Sequence, residues 1–164
     1  MLSMMKKQII INDILAHLSA ELSAIKTAAN NAHLAATDDQ SVAETQYDTL
    51  AIEASYLAEG QSRRVHDIQQ AKQAIERFII YNFEERMPIS IGALVKITPE
   101  KGEDKWFFIA PAAGGFQGVL NRKPYTVITP NSPMAKALIG KSIDDDVALT
   151  IGTSKQYYLV SGVY

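Results

Sequence analysis

The sequence predicts an α+β protein in two parts: an N-terminal antiparallel coiled-coil helical hairpin over residues 1–87 and a small α+β domain over residues 88–164. Three observations predict it. Apolar residues recur at alternating spacings of four and three through most of the first 78 residues, as in helices packed along a partner. Gly60 is the only proline or glycine before Pro88, whereas both are frequent afterwards. From residue 91 onward, short β-branched and aromatic runs alternate with turn-forming clusters, and one helix signature lies among them.

The first helix follows from Ile11, Leu15, Leu18, Leu22, Ile25, Ala29, Ala32 and Ala36, a period-3.5 seam without a slip. The second follows from Ala43, Tyr47, Leu50, Ala54, Leu57, Gln61, Arg64, Ile68, Ala71, Ile75 and Phe78. Gln61 and Arg64 interrupt it, and Val65 is placed to take over from Arg64 by a small register shift. Thr37-Asp38-Asp39-Gln40-Ser41 supplies turn formers between the series. So short a connection makes the helices antiparallel neighbours. The first seam passes from Ile and Leu to Ala toward the turn, which predicts a slender tip. From Ile11 to Ala36, at about 1.5 Å per residue, the prong would project on the order of 40 Å. Ser41-Val42-Ala43-Glu44 fits a capping box that starts the second helix. Pro88 is expected to end it, after Glu84-Glu85-Arg86-Met87.

In the second part, residues 91–98 and 106–109 read as strands joined by a turn at 99–104. Residues 111–115 read as a loop and 125–128 as a short strand. Asn131 to Gly140 carries a helix signature: Ser132 as N-cap, Pro133 as first residue and Gly140 as the stop. Residues 147–151 and 156–163 form a hairpin across Gly152-Thr153-Ser154. Strands around one short helix make an α+β domain.

Composition bounds the function. The chain has 164 residues, 47% hydrophobic and 21% charged, with a net charge of −2. That is the make-up of a folded globular protein. The absence of cysteine excludes a disulfide scaffold and a Cys-ligated zinc site, and it fits a cytoplasmic location. No apolar run approaches the roughly 20 residues of a membrane span, and the apolar stretch after Lys6-Lys7 is too short for a signal sequence. A near-neutral balance argues against a free-standing nucleic-acid binder.

The charge is unevenly spread. Residues 1–87 carry 8 Lys and Arg against 12 Asp and Glu, and the remainder 8 against 6. No Lys or Arg occurs between Lys26 and Arg63, a gap that holds Asp38, Asp39, Glu44, Asp48, Glu53 and Glu59. Such stretches are usually solvated faces, and Glu44 is equally accounted for as a carboxylate favoured at a helix N-terminus. The pair Asp38-Asp39 has less structural reason, since one Asx residue suffices for a turn. Clustered exposed carboxylates suit a hard cation such as Mg²⁺, which takes one or two of them and keeps its other positions for water or phosphate. A rod with such a tip can deliver carboxylates into another protein's active site.

Other motifs read as structure. Gly114-Gly115 lacks the further glycines and the Lys-Ser/Thr pair of a phosphate loop. Asp144-Asp145-Asp146 reads as a solvated turn before a strand. His17, His33 and His66 have no partner at metal or triad spacing.

The order of parts resembles the bacterial Gre transcript-cleavage factors. Asn131-Ser132-Pro133-Met134-Ala135-Lys136-Ala137-Leu138-Ile139-Gly140-Lys141, followed by Asp145-Asp146-Val147, strongly resembles the family's C-terminal signature. Ala43-Glu44-Thr45-Gln46-Tyr47-Asp48-Thr49-Leu50 resembles, less closely, the segment after its tip. The resemblance implies an FKBP-like C-terminal domain that docks at the rim of the RNA polymerase secondary channel. It implies a hairpin that enters the channel, where tip carboxylates help hold the second Mg²⁺ and stimulate hydrolysis of backtracked RNA, a two-metal reaction. By position, Asp39 or Asp38 takes the metal-holding role and Glu44 the partner role. Ser132, Pro133, Met134 and Lys136 are the implied polymerase contacts. The implied partners are RNA polymerase and the RNA 3′ end, in a setting of transcription elongation and DNA binding. No membrane is implied, nor any cofactor beyond Mg²⁺ held jointly with the polymerase. The factor would be an accessory to the polymerase's chemistry and no enzyme itself. A monomer is expected, because a hairpin is self-complementary.

The chain departs from the family at its tip. The family pattern is Asp-Leu-Ser-Glu-Asn-Ala-Glu-Tyr. Anchored on Tyr47, its catalytic Asp falls on Gln40 and its Glu on Ala43, and a one-residue insertion brings Asp39 and Glu44 into those roles. One residue on a helix turns a side chain by about 100°. A channel-binding regulator without cleavage activity is therefore the alternative. A prolyl isomerase is a further one, motivated only by Trp106, Phe107, Phe108 and Phe116.

Overall fold

The computed structural model describes residues 2–37 and 44–164, with the side chains of His33 and residues 35–57 outside that description. The elements run α1 (Leu2–Thr37), α2 (Glu44–Arg77), β1 (Leu94–Pro99), β2 (Lys105–Ile109), β3 (Gln117–Leu120), β4 (Lys123–Ile128), α3 (Pro133–Leu138), β5 (Asp146–Ile151) and β6 (Ser154–Val163). The α+β class is as expected. The chain divides into two compact units, Ala16–Gln73 and a second made of Met1–Leu15 with Ala74–Tyr164.

Among the described side chains of the helical unit, the seam is where periodicity puts it. Leu18 and Ile68 are buried. Leu22, Ile25, Ala29 and Ala32 are half-buried, while Ser23, Ala24, Lys26, Thr27 and Asn30 are exposed. Val65 is half-buried and Arg64 exposed, so the register shift occurs. Arg64 turns outward and donates to Glu21 of α1 at 2.8 Å, and Arg63 donates to Glu59 one turn back at 2.6 Å. Exposed pairs of this kind add at most about 1 kcal/mol. Among the described residues Gln61 leaves its Oε1 buried without a partner, the cost of a polar residue at the seam. The expected turn beyond Thr37 and the Ser41 capping box lie outside the described residues.

Gly60 sits inside α2, and a Cβ there would meet nothing within 4 Å. Glycine within a helix forfeits about 0.5–1 kcal/mol relative to alanine. Gly60→Ala should therefore stabilise the protein by that amount, read as a higher urea midpoint at unchanged m-value.

The other unit is built on a six-stranded sheet of order β3-β4-β2-β1-β6-β5. β2 and β4 are parallel and the remaining pairs antiparallel. Alternation along each strand sorts the two faces. One face carries Val95, Ile97, Ile109, Ile128, Val147 and Val160, which pack with Ala135 and Leu138 of α3. On the other, Leu94, Phe108, Tyr125 and Val127 are buried. There the Tyr125 hydroxyl donates to Asp13 of α1 at 3.0 Å. Ile10 and Ile14 of α1 are fully buried.

Two expectations are corrected, and one strand is added. The second helix ends at Arg77, ten residues before Met87. The run Phe78-Ile79-Ile80-Tyr81-Asn82-Phe83 is β-branched and aromatic, which disfavours helix, and its polar groups find tertiary partners. The Tyr81 carbonyl accepts from Lys7, and its hydroxyl bonds to Ser90 and to the Ile91 carbonyl. β1 starts at Leu94 rather than at residue 91, because Gly92 turns the chain at φ +92°. β3 was not anticipated. It pairs with β4 across Asn121-Arg122, both at positive φ (50° and 64°), the conformation of a two-residue type I′ hairpin turn.

Lys7 is fully buried. Its ammonium donates to the Tyr81 carbonyl at 2.7 Å and lies 4.6 Å from the Phe83 ring centroid. Desolvation lowers its pKa from the usual 10.5 to about 8. Between those values the unfolded chain binds a proton that the folded chain does not, so stability rises with pH there and is insensitive to this group below about 8. The gain should reach at most about 3 kcal/mol, reduced by the carbonyl and ring contacts that favour the cation. Urea titrations from pH 7 to 10.5 on wild type and Lys7→Met check it: the wild type should gain on the variant as pH rises.

Candidate functional site

The C-terminal signature folds as local chemistry requires. Ser132 is the N-cap of α3, its hydroxyl accepting from the Ala135 N–H at 3.1 Å, and Pro133 opens the helix. Gly140 follows at φ +87°, a left-handed conformation that costs glycine little. Its N–H donates to the Ile89 carbonyl at 2.8 Å, and the Ile89 N–H donates to the Lys141 carbonyl at 2.7 Å. The Ser142 hydroxyl adds a bond to the Arg86 carbonyl at 3.3 Å. The segment is thus bonded to the chain at 86–89 and anchored to the core by Ala135 and Leu138.

This anchoring decides which side chains are presented. Met134 is half-buried against the core and Ser132 is engaged in its cap. Pro133, Lys136, Ile139 and Lys141 are exposed. Of the four residues singled out from sequence, Pro133 and Lys136 therefore face outward, and Ile139 and Lys141 join them. Ile139 was readable in principle: directly after a buried Leu138 and before the helix stop, it cannot share the buried face. Exposed Met87 belongs to the chain bonded to this segment.

Of the carboxylates expected at the tip, Glu44 is the first residue of α2. Asp38 and Asp39 lie outside the described residues. Asp144, Asp145 and Asp146 are exposed, and Asp145 accepts from the Ser142 N–H at 2.7 Å, as a solvated turn requires. Among the described residues no group of three or more His, Asp or Glu is placed to hold a metal ion. His17 lies 3.7 Å from Glu21 on α1, and His66 is exposed on α2. Gly115 donates to the Val127 carbonyl and serves the edge of β4. Of the aromatic cluster, only Phe107 packs with the α3 side of the sheet, whereas Trp106 and Phe108 alternate to the other face, where Phe116 meets Tyr125 edge-on.

No known protein family profile matches the chain, and no curated protein matches it. Among solved structures it is similar to Gfh1 of Thermus aquaticus, at 18% identity and TM-score 0.38, over 91% of this chain and 92% of that one. It is similar to GreA factor homolog 1 of Thermus thermophilus at 17% and 0.37, over 92% and 94%. The prokaryotic transcription elongation factor GreA/GreB of Nitrosomonas europaea shares 13% identity at 0.36, over 68% and 90%. Identities of this size transfer no residue role. Among the described residues no helix is long and apolar enough to cross a membrane.

Proposed function

We propose that this chain is a Gre-type transcription elongation factor that binds RNA polymerase at its secondary channel and stimulates cleavage of backtracked RNA. One observation supports this most. The signature segment 131–141 forms a capped, core-anchored helix with Pro133, Lys136, Ile139 and Lys141 outward, on a chain whose two long helices are joined through a carboxylate-rich connection. The sheet unit grips the polymerase, and the helices carry Asp39 (or Asp38) and Glu44 to the catalytic centre. There these carboxylates would help hold a Mg²⁺ shared with the polymerase, and the ion would supply an activated water and neutralise the charge that develops on the phosphate.

Adding the protein to stalled elongation complexes with Mg²⁺ tests the reading. Shortened RNA with a released 3′ fragment is expected, and its absence rejects cleavage stimulation. The offset of Asp39 and Glu44 from the Tyr47 anchor favours a second reading, occupancy of the channel without cleavage. Displacement of a known channel binder with no RNA shortening would establish that one. Failure to displace would reject both.

A further inference from the structure

A cleft of about 170 Å³ opens on the sheet face opposite α3, lined by Lys6, Trp106, Asn121, Lys123, Tyr125 and Tyr164 together with two leucines. It lies within one compact unit. The register builds it. A single rung crosses the sheet through Gly118, Tyr125, Trp106, Lys96 and Gly162, on β3, β4, β2, β1 and β6 in turn. Two aromatic rings and a lysine occupy its centre, and Trp106 stacks on Tyr164 with ring centroids 5.8 Å apart. Lys96 and Lys123 hold their ammonium groups 5.8 Å and 6.0 Å from the Trp106 ring, and Lys6 enters from α1. Three lysines thus face two carboxylates. Asp104 is bonded to Lys96 at 3.0 Å, and Asp13 accepts from the Tyr125 hydroxyl. Among the described residues Lys6 and Lys123 make no ion pair.

We propose that this cleft binds a nucleotide unit, its base against the aromatic wall and its phosphate on Lys6 and Lys123. A simple anion would leave the rings and leucines unused, and an apolar ligand would leave the ammonium groups unused. Asn121 adds an amide that both donates and accepts, as a base edge requires. The volume is below the range for drug-sized ligands and suits one base rather than two. Aromatic stacking beside lysines is also how single strands are held without sequence preference. The source is therefore a free nucleotide or one residue of an RNA strand. The near-neutral overall charge is no objection, because the excess is local.

Trp106 is the only tryptophan, so its indole N–H gives one NMR cross-peak that reports on the cleft. The full chain is titrated separately with AMP, an RNA hexamer and inorganic phosphate. Saturable shifts of that cross-peak with a midpoint below about 1 mM are expected for AMP or the hexamer. A hexamer at least about tenfold tighter identifies a strand, and equal affinity identifies the free nucleotide. Lys6→Ser with Lys123→Ser should weaken binding at least about tenfold. Neither lysine is buried, and circular dichroism verifies that the variant is folded. The proposal is overturned by no saturable shift with either nucleotide probe, by equal affinity for phosphate alone, or by unchanged affinity in the folded variant. No polymerase enters the measurement, so its outcome is independent of the transcriptional reading.

Discussion

Asp39→Ala combined with Glu44→Ala should remove most of the stimulated RNA cleavage while leaving polymerase binding within about twofold of wild type. The loss should be on the order of 100-fold, because a shared metal ion supplies several kcal/mol of charge stabilisation and about 3 kcal/mol corresponds to that factor. Binding should survive because the outward residues of the signature helix lie in the other compact unit. Single variants separate the neighbours: if Asp39 holds the metal, Asp38→Ala retains most activity. The sequence offset at the tip adds a second arm. Gln40→Asp with Ala43→Glu restores the family spacing relative to Tyr47. If the chain occupies the channel without cleaving, that pair should confer cleavage. If Asp39 and Glu44 already reach the metal, it should add little. Full cleavage by the Asp39/Glu44 double variant would reject the assignment of both residues.

What could be read from residue order was what local chemistry decides. Ser132, Pro133 and Gly140 delimit α3 because capping, a fixed φ and a left-handed stop act within ten residues. The seam of α1 was readable because a 3.5 period needs only a partner, whichever it is. What escaped depends on distant partners. Phe78 to Phe83 lies before Pro88, the expected end of the helix, yet the Tyr81 carbonyl is taken by Lys7, 74 positions away. Lys7 itself reads as a surface charge, although it falls on the same helical stripe as Ile10, Ile11 and Ile14, and all four are buried. β3 was hidden because Asn-Arg is a poor signal for a I′ turn and Lys123-Pro124 demotes the following strand. The outward Ile139 escaped because an apolar residue in a helix signature is assumed to point inward.

Gly118→Ala should destabilise the protein by about 2–3 kcal/mol, a fall of roughly 5–10 °C in Tm for a chain of this length. Backbone entropy alone predicts the opposite sign, since alanine loses less freedom on folding than glycine. The neighbour decides. Gly118 on β3 stands opposite Tyr125 on β4, and a Cβ would overlap the Tyr125 hydroxyl and ring, with Cε1 at 2.8 Å. That ring cannot yield cheaply. It is buried, its hydroxyl is held by Asp13, and Phe116 meets it edge-on with centroids 6.3 Å apart. Burial first, and then the Asp13 carboxylate, push its pKa well above the usual tyrosine range, so the hydroxyl keeps its proton and the bond to α1 persists through alkaline pH. Making room for one methyl would therefore break the 112-residue link from β4 to α1 as well as the packing. A double-mutant cycle isolates this cause. In a Tyr125→Ala background the cost of Gly118→Ala should fall by at least about 1 kcal/mol, because residues in contact couple. Strict additivity would show that the ring is not what glycine accommodates. Set against Gly60→Ala, where the same methyl meets open space and stabilises, the pair shows that the sign of a glycine substitution follows what the new carbon touches.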